Sequence, residues 1–133
     1  MSDETLGDGN TSFDALYLPL LRPAFVEIVR KNLAEGADAA EQARAYAERG
    51  KPDFALGYLL VADLPDEEKR ALYALAHERR ATYIEQKARQ FDREFHRPFP
   101  LLFQEATKDR ALARRIRAGQ TVRPGAGRQL PMM

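Results

Sequence analysis

The chain has 133 residues, 44% hydrophobic and 31% charged, with a formal net charge of +1, which suits one soluble domain around a modest core. It has no cysteine, which excludes disulfides, thiolate metal sites and a cysteine nucleophile and fits a reducing cytoplasm. The longest apolar run, Leu59–Leu60–Val61–Ala62, is far shorter than the ~20 residues of a membrane helix, and the acidic N-terminus lacks the basic start and apolar stretch of a secretory signal.

Residues 1–11 are small, acidic and aperiodic, and are expected to form a disordered acidic tail. Phe13, Leu16, Tyr17, Leu20 and Leu21 recur at helical spacing, but Pro19 and Pro23 interrupt them. This predicts a short helix or turn, then a new helix with Pro23 in its first turn. Phe25, Ile28, Val29 and Leu33 stripe that helix, and Gly36 closes it. Asp38, with Glu41 three residues on, starts the next helix, which stops at Gly50. Pro52 opens another, expected from Asp53 to about Asp63, whose Phe54, Ala55, Leu56, Tyr58, Leu59, Leu60, Val61 and Ala62 leave almost no polar face. Such a helix belongs inside the packing of the others.

After Pro65 comes a long helix with Asp66, Glu67 and Glu68 in its first turn, where negative charge complements the helix dipole. No glycine or proline breaks it before Pro98. Its stripe reads Ala74, His77, Ala81, Ile84, Ala88, Phe91, Phe95, flanked by Leu72, Leu75 and Tyr83. Roughly 30 residues at ~1.5 Å rise span ~45 Å, so one end is expected to outrun the core or to dock on a second copy. Arg97–Pro98–Phe99–Pro100 makes an extended corner. The last helix, about Leu101 to Ala118, carries Leu102, Phe103, Ala106, Ala113 and Ile116 and ends at Gly119. The fold expected is all-α: one domain over 12–118, a compact bundle of about five helices with a helical hairpin and one long helix. Residues 119–133 are expected to be a disordered basic tail.

The hairpin has a further pattern: Ala43, Tyr46, Gly50, Ala55, Leu59 and Ala62. Residues 38–63 resemble a tetratricopeptide-like repeat, with a small residue, a tyrosine three positions on, a glycine before the turn, and alternating small and large residues after it. Pro65 comes two positions before the proline usual in that family, and no second copy follows at its period of ~34 residues. The resemblance implies a groove for a peptide or protein partner rather than catalysis.

Charge is unevenly spread. Residues 1–76 carry 8 Lys/Arg against 14 Asp/Glu, and residues 77–133 carry 13 against 6. Either the basic end faces an anionic partner, or the halves attract each other within the fold or between subunits. Arg110, Arg114, Arg115 and Arg117, followed by Arg123 and Arg128, are the candidate anionic-partner residues. Phe91, Phe95 and Phe99 are the candidate interface residues, left in need of cover where the long helix outruns the core.

No catalytic, cofactor-binding or metal-binding residue is assigned. His77 lies on an apolar stripe, where a histidine with one satisfied hydrogen bond is a core residue. Asp92 and His96 could supply two metal ligands, but no third is evident. Ser2 and Ser12 are the only serines, and there is neither a Walker loop nor GxGxxG. The reading is a small helical interaction module, an adaptor or accessory subunit that binds a protein partner or itself. The alternative is a nucleic-acid-associated accessory protein using the basic C-terminal end.

Overall fold

A computed structural model describes residues 12–120. The expected N-terminal tail at 1–11 and residues 121–133 of the C-terminal tail expected at 119–133, with Arg123 and Arg128, lie outside the described residues. Among the described residues there are six α-helices, one 3₁₀ turn and no strand. The helices are α1 (Phe13–Tyr17), α2 (Pro23–Ala34), α3 (Ala39–Glu48), α4 (Pro52–Leu59), α5 (Asp66–Phe95) and α6 (Pro100–Arg117); the turn, Leu18–Leu20, follows α1. None of these helices is long and apolar enough to cross a membrane.

The breaks sit at the glycines and prolines that suggest them. Gly36, Gly50 and Gly119 take positive φ at 101°, 72° and 71°, which glycine adopts without the Cβ penalty. Asp38 caps α3, its Oδ1 accepting from the amides of Ala40 at 2.9 Å and Glu41 at 3.3 Å.

One expected boundary moves. α4 ends at Leu59, short of Asp63. Beyond it the amides of Val61 and Ala62 donate to the carbonyls of Tyr58 and Leu59, three residues back. This tightened turn begins the reversal that Pro65 completes, and it turns Val61 out to solvent. Ala55–Leu59 are all buried, so the apolar segment is enclosed as its sequence demands. Gly57 makes the enclosure tight: a Cβ there would lie 2.8 Å from Val29 Cγ2 on α2.

α1 is pinned to the start of α5. The Phe13 amide donates to Asp66 Oδ2 at 3.0 Å, and Lys69, itself buried, pairs with Asp14 at 3.2 Å. Phe13, Tyr17 and Tyr73 then pack with ring centroids 4.9–5.9 Å apart. The Tyr17 hydroxyl donates to the Gln120 carbonyl at 3.0 Å, so Gly119 and Gln120 pack with the bundle beside the first helix.

The long helix serves two partners. Leu72, Leu75 and Ala76 pack with Ala47 and Ala55 of the α3–α4 hairpin. Its other face is a seam of alanines seven residues apart, Ala74, Ala81 and Ala88, set toward Ala113 and Ala106 of α6; all five are buried. Alanines at a heptad period let two antiparallel helices approach closely along a coiled-coil seam.

Candidate functional site

α1–α4 and one face of α5 form the base of the molecule, to which α5 keeps as far as about Ile84. The other face of α5 pairs with α6 as an arm whose end extends past that point. Glu85 meets Arg110 at 2.5 Å, and the Arg89 guanidinium lies 5.9 Å from the ring centre of Phe103. At the end of the arm His96 takes the left-handed conformation, φ 55° and ψ 40°, its amide donating to the Asp92 carbonyl at 2.8 Å. This single left-handed residue stops α5, and Pro98 and Pro100 set the corner into α6.

The corner brings together the three phenylalanines singled out by sequence. Phe91–Phe99, Phe91–Phe95 and Phe95–Phe99 centroids lie 5.4, 5.9 and 6.1 Å apart. They cover one another incompletely: Phe95 is 58% exposed. Two further apolar residues join the surface, Leu101 at 63% and Phe103 at 37% exposed. Leu102, Ala106, Ala113 and Ile116 carry the inward side of α6, and Phe103, one position from Leu102, turns off that side by roughly 100°. Lys87 sits 5.8 Å from the Phe91 ring centre and Arg97 5.5 Å from that of Phe99. With Arg89 over Phe103 they form a cationic rim on the aromatic tip, and none of the three has an ion-pair partner among the described residues.

The arginine cluster divides. Arg117 makes a two-pronged contact with Glu78, Nε to Oε2 at 3.1 Å and Nη2 to Oε1 at 2.8 Å. That hydrogen bonding raises the Arg117 pKa above its ordinary value, against a small opposing effect of burial. Arg110 is held by Glu85. Arg114 and Arg115 are exposed and have no ion pair among the described residues. The signal for these pairs is present in the sequence: Glu78 and Glu85 are seven apart on α5, and Arg110 and Arg117 are seven apart on an antiparallel α6. Single-helix reading cannot register one spacing against the other.

His77 is the polar member of the seam, as its place on an apolar stripe implies. Its Nδ1 lies 2.7 Å from Asp109 Oδ1, and Asp109, 2% exposed, also accepts from Arg80. Arg80 reaches Glu105 Oε2 at 3.3 Å, while Glu105 Oε1 is buried with no hydrogen-bond partner among the described residues. The Tyr73 ring packs edge-on to His77 with centroids 5.1 Å apart. The threonine hydroxyls of α5 and α6 are turned to backbone: Thr82 bonds the Glu78 carbonyl and Thr107 that of Phe103. The network clamps α5 to α6. Asp92 and His96 gain no third ligand: among the described residues no group of three or more His, Asp or Glu could hold a metal ion.

No family model, curated protein or solved structure matches this chain.

Proposed function

We propose that the protein is a small helical interaction module, an adaptor or accessory subunit of the cytoplasm without catalytic, cofactor or membrane role, which contacts its protein partner or a second copy through the tip of the α5–α6 arm. One observation carries this reading: the exposed Phe95 packs with Phe91 and Phe99 at the far end of a helical pair, and Leu101, also exposed, lines the same corner as Phe99. Clustered apolar exposure rimmed by charge is what an interaction surface offers, whereas scattered apolar exposure needs no explanation. Aromatic and arginine side chains together are the enriched composition of interface centres. The tetratricopeptide-like spacing of 38–63 supports the same class of role, while the burial of Ala43, Ala47, Ala55 and Leu59 leaves the tip as the better contact. The absence of cysteine supports the compartment.

A photoreactive phenylalanine analogue at position 95 tests the proposal in the native cell, with the same analogue at exposed Lys31 as control. A discrete adduct from position 95 alone is expected, and Phe95→Asp should abolish the same complex in sedimentation. Equal adducts from both positions, or none from 95, overturn it. An adduct of twice the chain mass identifies the partner as a second copy.

Nucleic acid is the second reading. It keeps Arg114 and Arg115 on an exposed face, but the charge of Arg110 and Arg117 is already met by Glu85 and Glu78. A salt-dependent gel shift on mixed DNA and RNA tests it.

A further inference from the structure

The tip is not the only surface with unspent chemistry. A cleft of about 310 Å³ lies where the α3–α4 turn meets α5, with Arg49, Gly50, Lys51, Phe54, Arg80 and Tyr83 among its lining. The backbone closes its floor. Gly50 takes φ 72°, and a Cβ on it would lie 2.8 Å from the Arg80 amide nitrogen and 3.0 Å from the Tyr83 ring. The turn and α5 therefore meet without an intervening side chain. One wall is aromatic: Phe25 and Phe54 meet edge to face with centroids 4.7 Å apart, and Phe54 stacks on Tyr46 at 4.9 Å. Tyr83 is 46% exposed.

The charged side is cationic and partly uncommitted. Arg49 and Lys51 have no carboxylate partner among the described residues; Arg49 lies 5.5 Å from the Tyr46 ring centre. Asp53 is the single acid of the lining. Arg80 is already held through its Nη1 by Glu105 and Asp109 of α6, which fixes the guanidinium in place but also offsets its charge. The attraction for an anion thus rests on Arg49 and Lys51.

We propose that this cleft binds a small aromatic anion, a single planar ring bearing one carboxylate or phosphate group. The volume is at the low end of the roughly 300–1,000 Å³ typical of ligand sites, which limits the ring system to about one. Apolar walls with a few placed charges are the pattern of such sites. A ring laid against Phe54 or Tyr83 gains aromatic contact, while its anionic group takes charge-assisted hydrogen bonds from Arg49 and Lys51. This site is independent of the tip, and either can fail without the other.

The test is an amide-resolved NMR titration of the full chain with four probes: benzoate, phenyl phosphate, benzamide and benzylamine. Saturable shifts at Gly50, Lys51, Phe54 and Tyr83 are expected for the two anions, and the stronger of the two identifies the anionic group. The neutral amide and the cation should leave these amides unmoved. Arg49→Glu/Lys51→Glu should weaken anion binding by at least about tenfold, since hydrogen bonds to charged groups are each worth roughly that factor. Both side chains are exposed, so the variant should keep the wild-type melt. Tyr83→Ala should weaken both anions together. No saturable shift by about 10 mM, weaker than any useful site, would overturn the proposal. So would equal response to all four probes, or undiminished binding in the charge variant.

Discussion

The base, built around α4, and the α5–α6 arm bury their apolar surface by opposite means. In the base, α2, α3 and α5 close over α4, and Leu56, Tyr58 and Leu59 have no exposed surface. In the arm, alanines bring two helices close and leave little apolar volume between them; ion pairs along the edges and a buried polar cluster accompany the contact. A base built on volume should fail when volume is removed. An arm built on close approach and charge should fail when a buried partner is removed, and its exposed tip should hardly notice substitution.

The sharpest separation of the two is a pair of leucines. Leu59→Ala should cost ~2–5 kcal/mol in a urea melt, while Leu101→Ala, at the tip, should change stability by less than about 0.5 kcal/mol. Equal losses would mean that the tip is covered in solution by part of the chain or by a second copy. Asp109→Ala should cost less than Leu59→Ala, about 1–3 kcal/mol. It removes the partner of His77, but Arg80 is 37% exposed and keeps Glu105, so solvent and the second carboxylate screen the loss. Replacement of the whole cluster by apolar residues, Asp109→Leu and Glu105→Met together with Arg80→Met and His77→Phe, should recover most of that loss. If the single variant is benign, the arm is held by its alanine seam alone.

The glycines refine the picture. Gly50→Ala meets both a left-handed backbone and the peptide of Arg80, and should lose roughly 2–4 kcal/mol in thermal denaturation. Gly36→Ala has the same kind of φ but nothing within 4 Å of its Cβ, so only the backbone strain of about 1–2 kcal/mol remains. The difference between the two measures how tightly the α3–α4 turn is seated on α5.

Local signals made most of the base legible in the sequence. Pro23, Pro52 and Pro65 stand at or just before helix starts, Gly36 and Gly50 at stops, Asp38 at a cap, and the lack of a polar face from Phe54 to Ala62 marks the enclosed helix. The end of α4 was not legible, because Leu60–Ala62 continue a helical pattern while the approach to Pro65 requires a reversal. In the arm, Phe91, Phe95 and Phe99 are visible at a four-residue spacing. The exposure of Leu101 and Phe103 is not, because the apolar pattern of α6 does not reveal that its first turn lies beyond the base. The charge asymmetry of the two halves was visible as a sum, but its resolution into Glu78–Arg117 and Glu85–Arg110 depends on the register between helices. The cleft depends on three separated segments and leaves no local trace.

Tyr17 gives a pH test of how the first helix is joined to the end of α6. Burial pushes its phenol up to about 12 from an ordinary 10, although the nearby Arg70 charge pulls the other way. The folded state therefore keeps the proton more firmly than the unfolded chain. That contribution is complete below pH 10 and is lost as pH rises from about 10 to 12, because the unfolded state then releases the proton first. The loss should reach about 2–3 kcal/mol. Tyr17→Phe should remove this alkaline limb, at a cost near 1 kcal/mol at neutral pH for the hydrogen bond to Gln120. An unchanged limb in that variant would assign it to other groups.

The smallest effect is also the one that bears on the arginines. Glu78–Arg117 and Glu85–Arg110 are partly exposed pairs, with the side chains 46% and 38% exposed in the first and 37% and 23% in the second. A double-mutant cycle on each should return about 0.2–1 kcal/mol, shrinking in high salt, with the more sheltered Glu85 pair the larger. Glu78→Gln/Glu85→Gln should cost little stability yet free two guanidinium groups beside Arg114 and Arg115. If the acidic residues of α5 are what keep this face from polyanions, heparin retention should rise in the double variant and its salt slope should steepen by about one for each new phosphate-like contact. Unchanged retention would show that Arg110 and Arg117 hold the arm even without their partners. The basic end of the chain would then be a structural edge, and the contrast between base and arm would extend to its charges.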